Sequence, residues 1–207
     1  MAIGDSYITT AQLAAYLGIP LTQTDSSRDA KLAAAVSSAS KSVEGHCRRQ
    51  FNTDGVVSAR VYEPTSAHLA VVEDFYDTTT LVVAKKQLAA STWTTIDPTN
   101  FELEPRNGVV NGQPGWPYRR VKLPYWFYFW GVDRVQVTAK WGWPAVPASV
   151  VQATYIIAAQ YYKLPDAPFG VAGFGSGSDG FSAVKVSDVP QAWSILCPYV
   201  LNPITVG

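Results

Sequence analysis

The spacing of apolar residues along this chain changes twice, and these changes limit the architectures that it can adopt. Up to about residue 55, and again over 144–165, apolar side chains recur every three or four positions, which is typical of amphipathic helices. From Val56 to Trp143 they recur at every second position, which is typical of strands. No helical stretch separates these alternating segments, so the pattern favours an antiparallel sheet over a parallel one.

We therefore predict an α+β fold, a small bundle of three to four helices with an inserted antiparallel β domain and an extended C-terminal arm. The predicted helical core comprises residues 1–55 and 144–165, and the β domain comprises residues 56–143. Residues 166–207 are predicted to form a Gly-rich linker, a short helix and a docking arm.

Start and stop signals place the helices. The second is rich in Ala and Ser on its apolar side, which allows a neighbouring helix to approach closely, in the same molecule or in a second copy. The predicted helices are residues 11–17 after a cap at Thr9 or Thr10, about 20 residues from Asp25 towards Phe51, residues 148–162 after Pro147, and a short helix capped by Ser187 or Asp188 with Pro190 in its first turn.

Seven short β-branched or aromatic runs predict the strands, with turn signals such as Asp54-Gly55 and Asn107-Gly108 between them. The runs are residues 57–62, 68–72, 80–83, 92–96, 101–103, 119–123 and 134–141.

The charge balance bears on the class of function. Sixteen Lys and Arg residues balance sixteen Asp and Glu residues, which argues against a generally basic nucleic-acid binder. Charged residues make up only 15% of the chain and aromatic residues 13%. Such a surface meets little electrostatic repulsion and offers many aromatic contact groups, so we expect an assembly subunit.

Motifs for catalysis, metals and cofactors are weak throughout. Cys47 and Cys197 have no Cys or His partner at metal-ligand spacing, so we expect no metal, no cofactor and no disulfide scaffold. Residues 175–180 fit the letters G-x-G-x-x-G, but they lack the flanking strand and helix that a dinucleotide site needs. His46 and Cys47 are adjacent on a helix and point in different directions, so they cannot act as a nucleophile pair. We therefore expect that the protein is not an enzyme.

Two further features argue against specific alternatives. Glu73 and Asp74 lie side by side, and a solvated turn is favoured over a glycosidase carboxylate pair. The first residues lack the basic region followed by an apolar stretch that an export signal has. No apolar run approaches the roughly 18 residues of a membrane span, so neither export nor a membrane span is expected.

A continuous aromatic run from Tyr125 to Trp130 is the most unusual local feature. Alternate rings could pack into the sheet core, because strands normally bury one face. The run could instead form a subunit contact, because rings on both faces are hard to bury in one small sheet. Membrane insertion and sugar stacking also remain open. The candidate contact residues are Trp126, Phe127, Tyr128, Phe129 and Trp130.

Two basic groups have a similar ambiguity. Arg48 and Arg49 follow the second helix, where cations favour the helix C-terminus, but they could also form a salt bridge between subunits or face DNA. Arg106, Arg119, Arg120 and Lys122 flank the loop 107–117 and could contact passing DNA phosphates if they line a channel.

Four segments stand in a distinctive order and spacing: Ile8-Thr-Thr-Ala-Gln-Leu-Ala-Ala-Tyr-Leu-Gly-Ile19, Ala39-Ser40 with Val43-Glu-Gly-His-Cys-Arg-Arg-Gln-Phe51, Val146-Pro147 with Ala153 to Tyr162, and Leu196-Cys-Pro-Tyr199. Their arrangement resembles the head-to-tail adaptor (connector) proteins of long-tailed bacteriophages. The resemblance rests on helix pattern more than on letters, and the long β block 56–143 departs from the minimal helical adaptor.

The resemblance implies a non-enzymatic virion protein made in the bacterial host cytoplasm. Such a protein forms a ring, commonly of twelve copies, at the head–tail interface between the portal protein and a stopper or tail-completion protein, around the DNA channel. On this basis we expect Trp193, Leu196 and Tyr199 to dock onto the portal or onto a neighbouring subunit. The alternative is a carbohydrate- or host-binding module that stacks sugars on Trp116, Trp126 and Trp130.

Overall fold

A computed structural model describes residues 2–20, 25–88, 90–126, 129, 132–166 and 189–201. The chain divides into two compact units. The helical unit is built from Asp5–Arg49 and Val146–Asn202, and the β unit from Gln50–Ala145. The predicted α+β fold with an inserted antiparallel sheet is confirmed. The sequences 167–188 and 202–207, which include the G-x-G-x-x-G letters, lie outside the described residues.

The helical unit contains the four predicted helices, and the third of them packs against each of the other three. Their bounds are α1 Thr10–Leu17, α2 Ser26–Cys47, α3 Ala148–Lys163 and α4 Pro190–Leu196. Small buried residues on the facing sides of α2 and α3 permit close approach. The buried residues of the unit include Leu13, Leu32, Ala35, Val36, Ala39, Val43, Val150, Ala153, Ile157, Ala158, Ala192 and Leu196.

Local hydrogen bonds fix the ends of the first two helices as the sequence predicts. The Thr9 side chain accepts from the Gln12 amide at 3.2 Å, and the Gln12 side chain accepts from the Thr9 amide at 2.8 Å, which is a capping box. Asp25 caps α2. The cap predicted for α4 is wrong: Val189 occupies this position and makes no side-chain bond, and Pro190 supplies the preset backbone angle instead.

The β unit contains all seven predicted strands, displaced by at most a few residues. They form one antiparallel sheet in the order β4-β3-β7-β2-β6-β5, and β1 pairs with β7. The strands are β1 Thr53–Tyr62, β2 Leu69–Phe75, β3 Val82–Gln87, β4 Thr94–Thr95, β5 Glu102–Glu104, β6 Tyr118–Lys122 and β7 Val132–Gly142.

Strand β7 is the centre of the sheet, since it pairs with β1, β2 and β3. Its residues alternate between the core and the outer face, as the period of two predicts. The core comprises Ala70, Val72, Phe75, Val83, Ile96, Val121, Leu123, Phe129, Val135, Val137, Ala139 and Trp141.

The turn predicted at Asp54-Gly55 is wrong. Both residues lie inside β1, where the register with β7 shifts between Thr53 and Val57. Gly55 has a φ of 66°, which belongs to the left-handed region. A register shift of this kind accommodates two extra residues without ending the strand, so a glycine signal alone does not distinguish it from a turn.

We predict that Gly142→Ala lowers the free energy of unfolding by about 3 kcal/mol or more. Gly142 has a φ of 96°, and a Cβ there would overlap the backbone of Asn52 and Thr53. Gly45 in α2 is the matched control, because nothing lies within 4 Å of its Cβ position. Gly45→Ala should raise stability by about 0.5–1 kcal/mol in urea unfolding. Equal effects of the two changes would contradict the close approach at Gly142.

A second prediction concerns acid stability. Lys140 Nζ lies 2.8 Å from Asp77 Oδ2, and Thr79 donates to Oδ1. The hydrogen bond from Lys140, and then those from Thr79, hold the pKa of Asp77 well below its ordinary value. The ionised carboxylate therefore stabilises the fold above about pH 4, and this contribution is lost as the pH falls through the lowered pKa.

Asp77→Asn should lower the urea midpoint at pH 7, and the gap between the midpoints of the variant and the wild type should narrow below about pH 4. Asp133→Asn is the control and should lower the midpoint less, because Asp133 pairs with its sequence neighbour Arg134 at 3.5 Å. If the midpoint of Asp77→Asn lies equally far below that of the wild type at pH 7 and at pH 3, the ion pair does not stabilise the fold.

Candidate interaction surfaces

The aromatic run divides between the core and the surface. Phe129 is 3% exposed and its amide donates to the Ala67 carbonyl at 2.6 Å. Tyr125 and Trp126 are 82% and 68% exposed, with their ring centroids 5.1 Å apart in an edge-to-face arrangement. The burial of Phe129 agrees with the core interpretation, whereas the subunit contact of the exposed rings stays a prediction. Phe127, Tyr128 and Trp130 lie outside the described residues.

A second apolar surface lies on the outer side of β1. Val57, Ala59 and Val61 are exposed and stand opposite Lys140, Thr138 and Gln136 of β7. The other side of β1, with Ser58, Arg60 and Tyr62, faces the core positions of β7. Sequence reasoning predicted this strand but not that its small apolar residues point outward. Alternation in the sequence shows that these three residues share a side of the strand, but not which side is buried.

Several contacts hold Arg60 on the inner side of β1. Its guanidinium carbon lies 4.6 Å from the centroid of the Trp141 ring, which is a cation–π contact. It forms ion pairs with Glu73 and, at 3.6 Å, with Asp54. Burial raises the pKa of the nearby Tyr62 to about 12, although the charge of Arg60 opposes this shift.

The predicted solvated turn at Glu73-Asp74 is wrong, because both residues lie within β2. Glu73 is exposed and pairs with Arg60, whereas Asp74 is 8% exposed and accepts a hydrogen bond from Trp143 Nε1 at 3.1 Å. The two carboxylates therefore do not converge on a catalytic cleft.

The basic group on β6 and in the turn after β5 is paired with acids of β5 and β2. Arg106 lies 2.8 Å from Glu102, and Arg119 lies 3.9 Å from Asp74. Glu104 lies 3.5 Å from Arg120 and 3.7 Å from Lys122. These carboxylates offset most of the positive potential that a phosphate backbone would require, so the group does not form a strongly basic DNA-binding patch.

Arg48 and Arg49 have different environments. Arg48 is exposed and ends α2 in the left-handed conformation, with a φ of 55°. Arg49 Nη1 lies 3.5 Å from the carbonyl oxygen of Tyr199, at the limit of a hydrogen bond within the helical unit. Of the pair, Arg48 is the more exposed side chain.

The three residues expected to dock onto a partner contribute to their own helical unit instead. Leu196 is fully buried, and Tyr199 is 9% exposed with its hydroxyl 2.8 Å from Ser149 Oγ. The Trp193 ring lies 4.4 Å from that of His46. The amide of Leu201 also donates to the Cys47 carbonyl at 3.0 Å. Residues 190–201 are therefore a packed part of the fold and not an extended arm.

The two cysteines differ in reactivity. Burial raises the pKa of Cys47 to about 11, although Arg49 lowers it in part, so the thiol stays protonated at neutral pH. His46, its neighbour, faces Trp193. Cys197 is an exposed free thiol. The described geometry offers no activated cysteine nucleophile at residue 47.

A shallow groove of about 390 Å³ runs between α2 and the end of α3. Small side chains of Ala34, Ser38 and Ser42 form one wall, and Tyr161 and Tyr162 form the other. A hydrogen bond of 2.8 Å joins the hydroxyls of Ser42 and Tyr161 across it. The groove has the small-residue stripe that the sequence predicts for α2.

Comparisons with protein-family models and with curated sequences identify no relative. No protein-family model matches the chain, and no similar sequence was found among curated proteins. Across the described ranges, His, Cys, Asp and Glu side chains nowhere gather in a group of three or more that could hold a metal ion. Within the same part of the chain, each helix is too short or too polar to cross a bilayer.

We predict that Leu196→Ala lowers the free energy of unfolding by about 2–5 kcal/mol, because it leaves a cavity in the helical core. Ser194→Ala on the exposed side of α4 is the control and should change stability by no more than about 0.5 kcal/mol. Thermal and urea unfolding measure both. A fully stable Leu196→Ala protein would show that α4 is not part of the core.

Proposed function

We propose that this chain is a structural protein of the bacteriophage virion, a head-to-tail adaptor. Twelve copies form a ring between the portal protein and a stopper or tail-completion protein, around the channel through which DNA leaves. The observation that carries the proposal is the exposed Tyr125–Trp126 pair on a chain with no net charge and few charged residues. Exposed aromatic groups of this kind are typical of protein contacts, where burial of their large area stabilises association.

Two further features support an assembly role. The elements follow the adaptor-like order in the sequence, which is α1, α2, an inserted sheet and then α3. The carboxylates beside Arg106, Arg119, Arg120 and Lys122 would keep a channel wall from holding DNA tightly. Any contact with passing DNA is then transient and non-specific.

The structure changes which residues we assign to the contacts. Leu196 and Tyr199 are needed inside the helical unit, so the proposal no longer places them in a portal contact. Of the predicted subunit-contact residues in the aromatic run and the Arg48–Arg49 pair, Trp126 and Arg48 are exposed among those that the structure describes, and so is Tyr125, which precedes Trp126. We assign Tyr125 and Trp126 to a contact with a neighbouring subunit or the portal.

Carbohydrate binding has less support as an alternative. Trp116 is half-buried, and its ring centroid lies 5.2 Å from that of Trp143, so its ring is not an open stacking surface for a sugar. The planes of Tyr125 and Trp126 meet at 81°, which does not form one flat surface for a sugar ring.

The test mixes the purified chain with the portal protein of the same phage and measures ring assembly by mass photometry and electron microscopy. The Tyr125→Glu/Trp126→Glu double variant should lower assembly at least about tenfold, because burying the two charges opposes the contact. Its unfolding free energy should change by no more than about 0.5 kcal/mol, since both side chains are exposed. Leu88→Glu, at a residue 79% exposed, is the control.

Two outcomes would contradict the proposal. A wild-type chain that never joins the portal would exclude the adaptor role. A double variant that assembles like the wild type would exclude Tyr125 and Trp126 from the contact. Glycan binding that Trp126→Ala abolishes would support the alternative instead.

A further inference from the structure

Strand β1 has a hydrogen-bonded neighbour on one side. Among the residues that the structure describes, it pairs with β7 alone, through residues 57–62 and the separate pair Thr53–Gly142. Its other side, the β1 edge, borders no strand in this part of the chain. The Ser58 carbonyl accepts a hydrogen bond from Trp141 Nε1 at 2.9 Å, but a carbonyl oxygen can accept a second one. A sheet edge of this kind is a template for a further strand.

The β1 edge is complementary to itself in sequence. Val57 and Val61 stand two positions on either side of Ala59. If two copies of β1 lie antiparallel about Ala59, Val57 of each copy faces Val61 of the other, and the two Ala59 residues face each other. All three side chains lie on the outer face, where Val57 is 38% and Val61 is 46% exposed. Opposed β-branched residues stabilise an antiparallel pair, and a two-fold contact requires this kind of self-complementarity.

The charges of β1 are compatible with this register. Arg60 of each copy stands opposite Ser58 of the other, so two guanidinium groups are never directly opposed. Each Arg60 is also neutralised within its own copy by Asp54 and Glu73, and it stacks on Trp141 on the inner side of the strand. The bulge between Thr53 and Val57 precedes the paired segment and does not interrupt it.

We infer that the free protein forms a two-fold symmetric dimer in which the β1 edges of two copies pair antiparallel about Ala59. The two sheets then continue across the contact, and the outward valines become cross-strand neighbours. This contact closes at two copies, whereas a ring of twelve needs a contact between different surfaces of successive copies. The dimer is therefore distinct from the proposed ring, and it is tested without the portal.

A charge exchange at Ala59 tests the register. Sedimentation should give the wild type twice the 22.5 kDa mass of the chain. Ala59→Glu and Ala59→Lys each place like charges opposite one another on the two-fold axis, so each should weaken dimerisation at least about tenfold. An equal mixture of the two variants should recover the dimer, because Glu then faces Lys. Leu88→Glu and Leu88→Lys are the controls and should remain dimeric.

A disulfide tests the same geometry directly. Directly opposed residues of antiparallel strands have Cα atoms about 4.5–5.5 Å apart, which is within the range of a disulfide. Ala59→Cys in a Cys197→Ser background should form a covalent dimer under mild oxidation. The Cys197→Ser change removes the exposed native thiol, and the remaining Cys47 is buried and does not compete. Leu88→Cys in the same background should not.

A wild-type protein that is monomeric at every concentration would overturn the inference, whether the edge is solvated or covered by other residues of its own chain. A dimer that withstands Ala59→Glu would overturn the register and with it the proposed contact. Neither result would bear on assembly with the portal, so the inference and the proposed function fail separately.

Discussion

The contact between Arg60 and the ring of Trp141 determines both the interior and the exterior of the β unit. Trp141 is fully buried on the central strand β7, against Phe75 and Tyr62. Its indole donates to Ser58, and its face receives the guanidinium of Arg60. Because successive residues of a strand point to opposite sides, directing Arg60 inward directs Val57, Ala59 and Val61 outward. The cation–π contact between the half-buried Arg60 and the buried Trp141 thus accompanies an exposed apolar surface on β1.

This contact also shows how far the sequence could predict the structure. The period of two identified the strands, and the caps at Thr9 and Asp25 identified the first two helices, because these signals act within a few residues. The direction in which β1 faces was not predictable, since alternation shows which residues share a side and not which side is buried. Asp74 was assigned to a turn for a different reason, because its hydrogen-bond partner Trp143 is distant in sequence and local signals do not show that contact.

The candidate contact residues divide along similar lines. An aromatic run in an aromatic-rich chain indicates association, but only the fold decides that Phe129 is a core residue while Tyr125 and Trp126 are exposed. Leu196 and Tyr199 lie on the apolar face of a short segment that follows a Gly-rich stretch. Such a face can contact a partner or complete the core of its own chain. Here it completes the core, because it packs against α3.

The place of α4 in the helical core has a consequence for synthesis of the protein. Every strand that the structure describes has left the ribosome once about residue 142 has emerged, so this sheet can fold while translation continues. The helical unit has to wait for α4, because Ala192 and Leu196 are buried, α4 packs against α3, and Trp193 contacts His46 of α2. Until then, the side of α3 that α4 covers is exposed, and exposed apolar surface of this kind favours aggregation of a nascent chain.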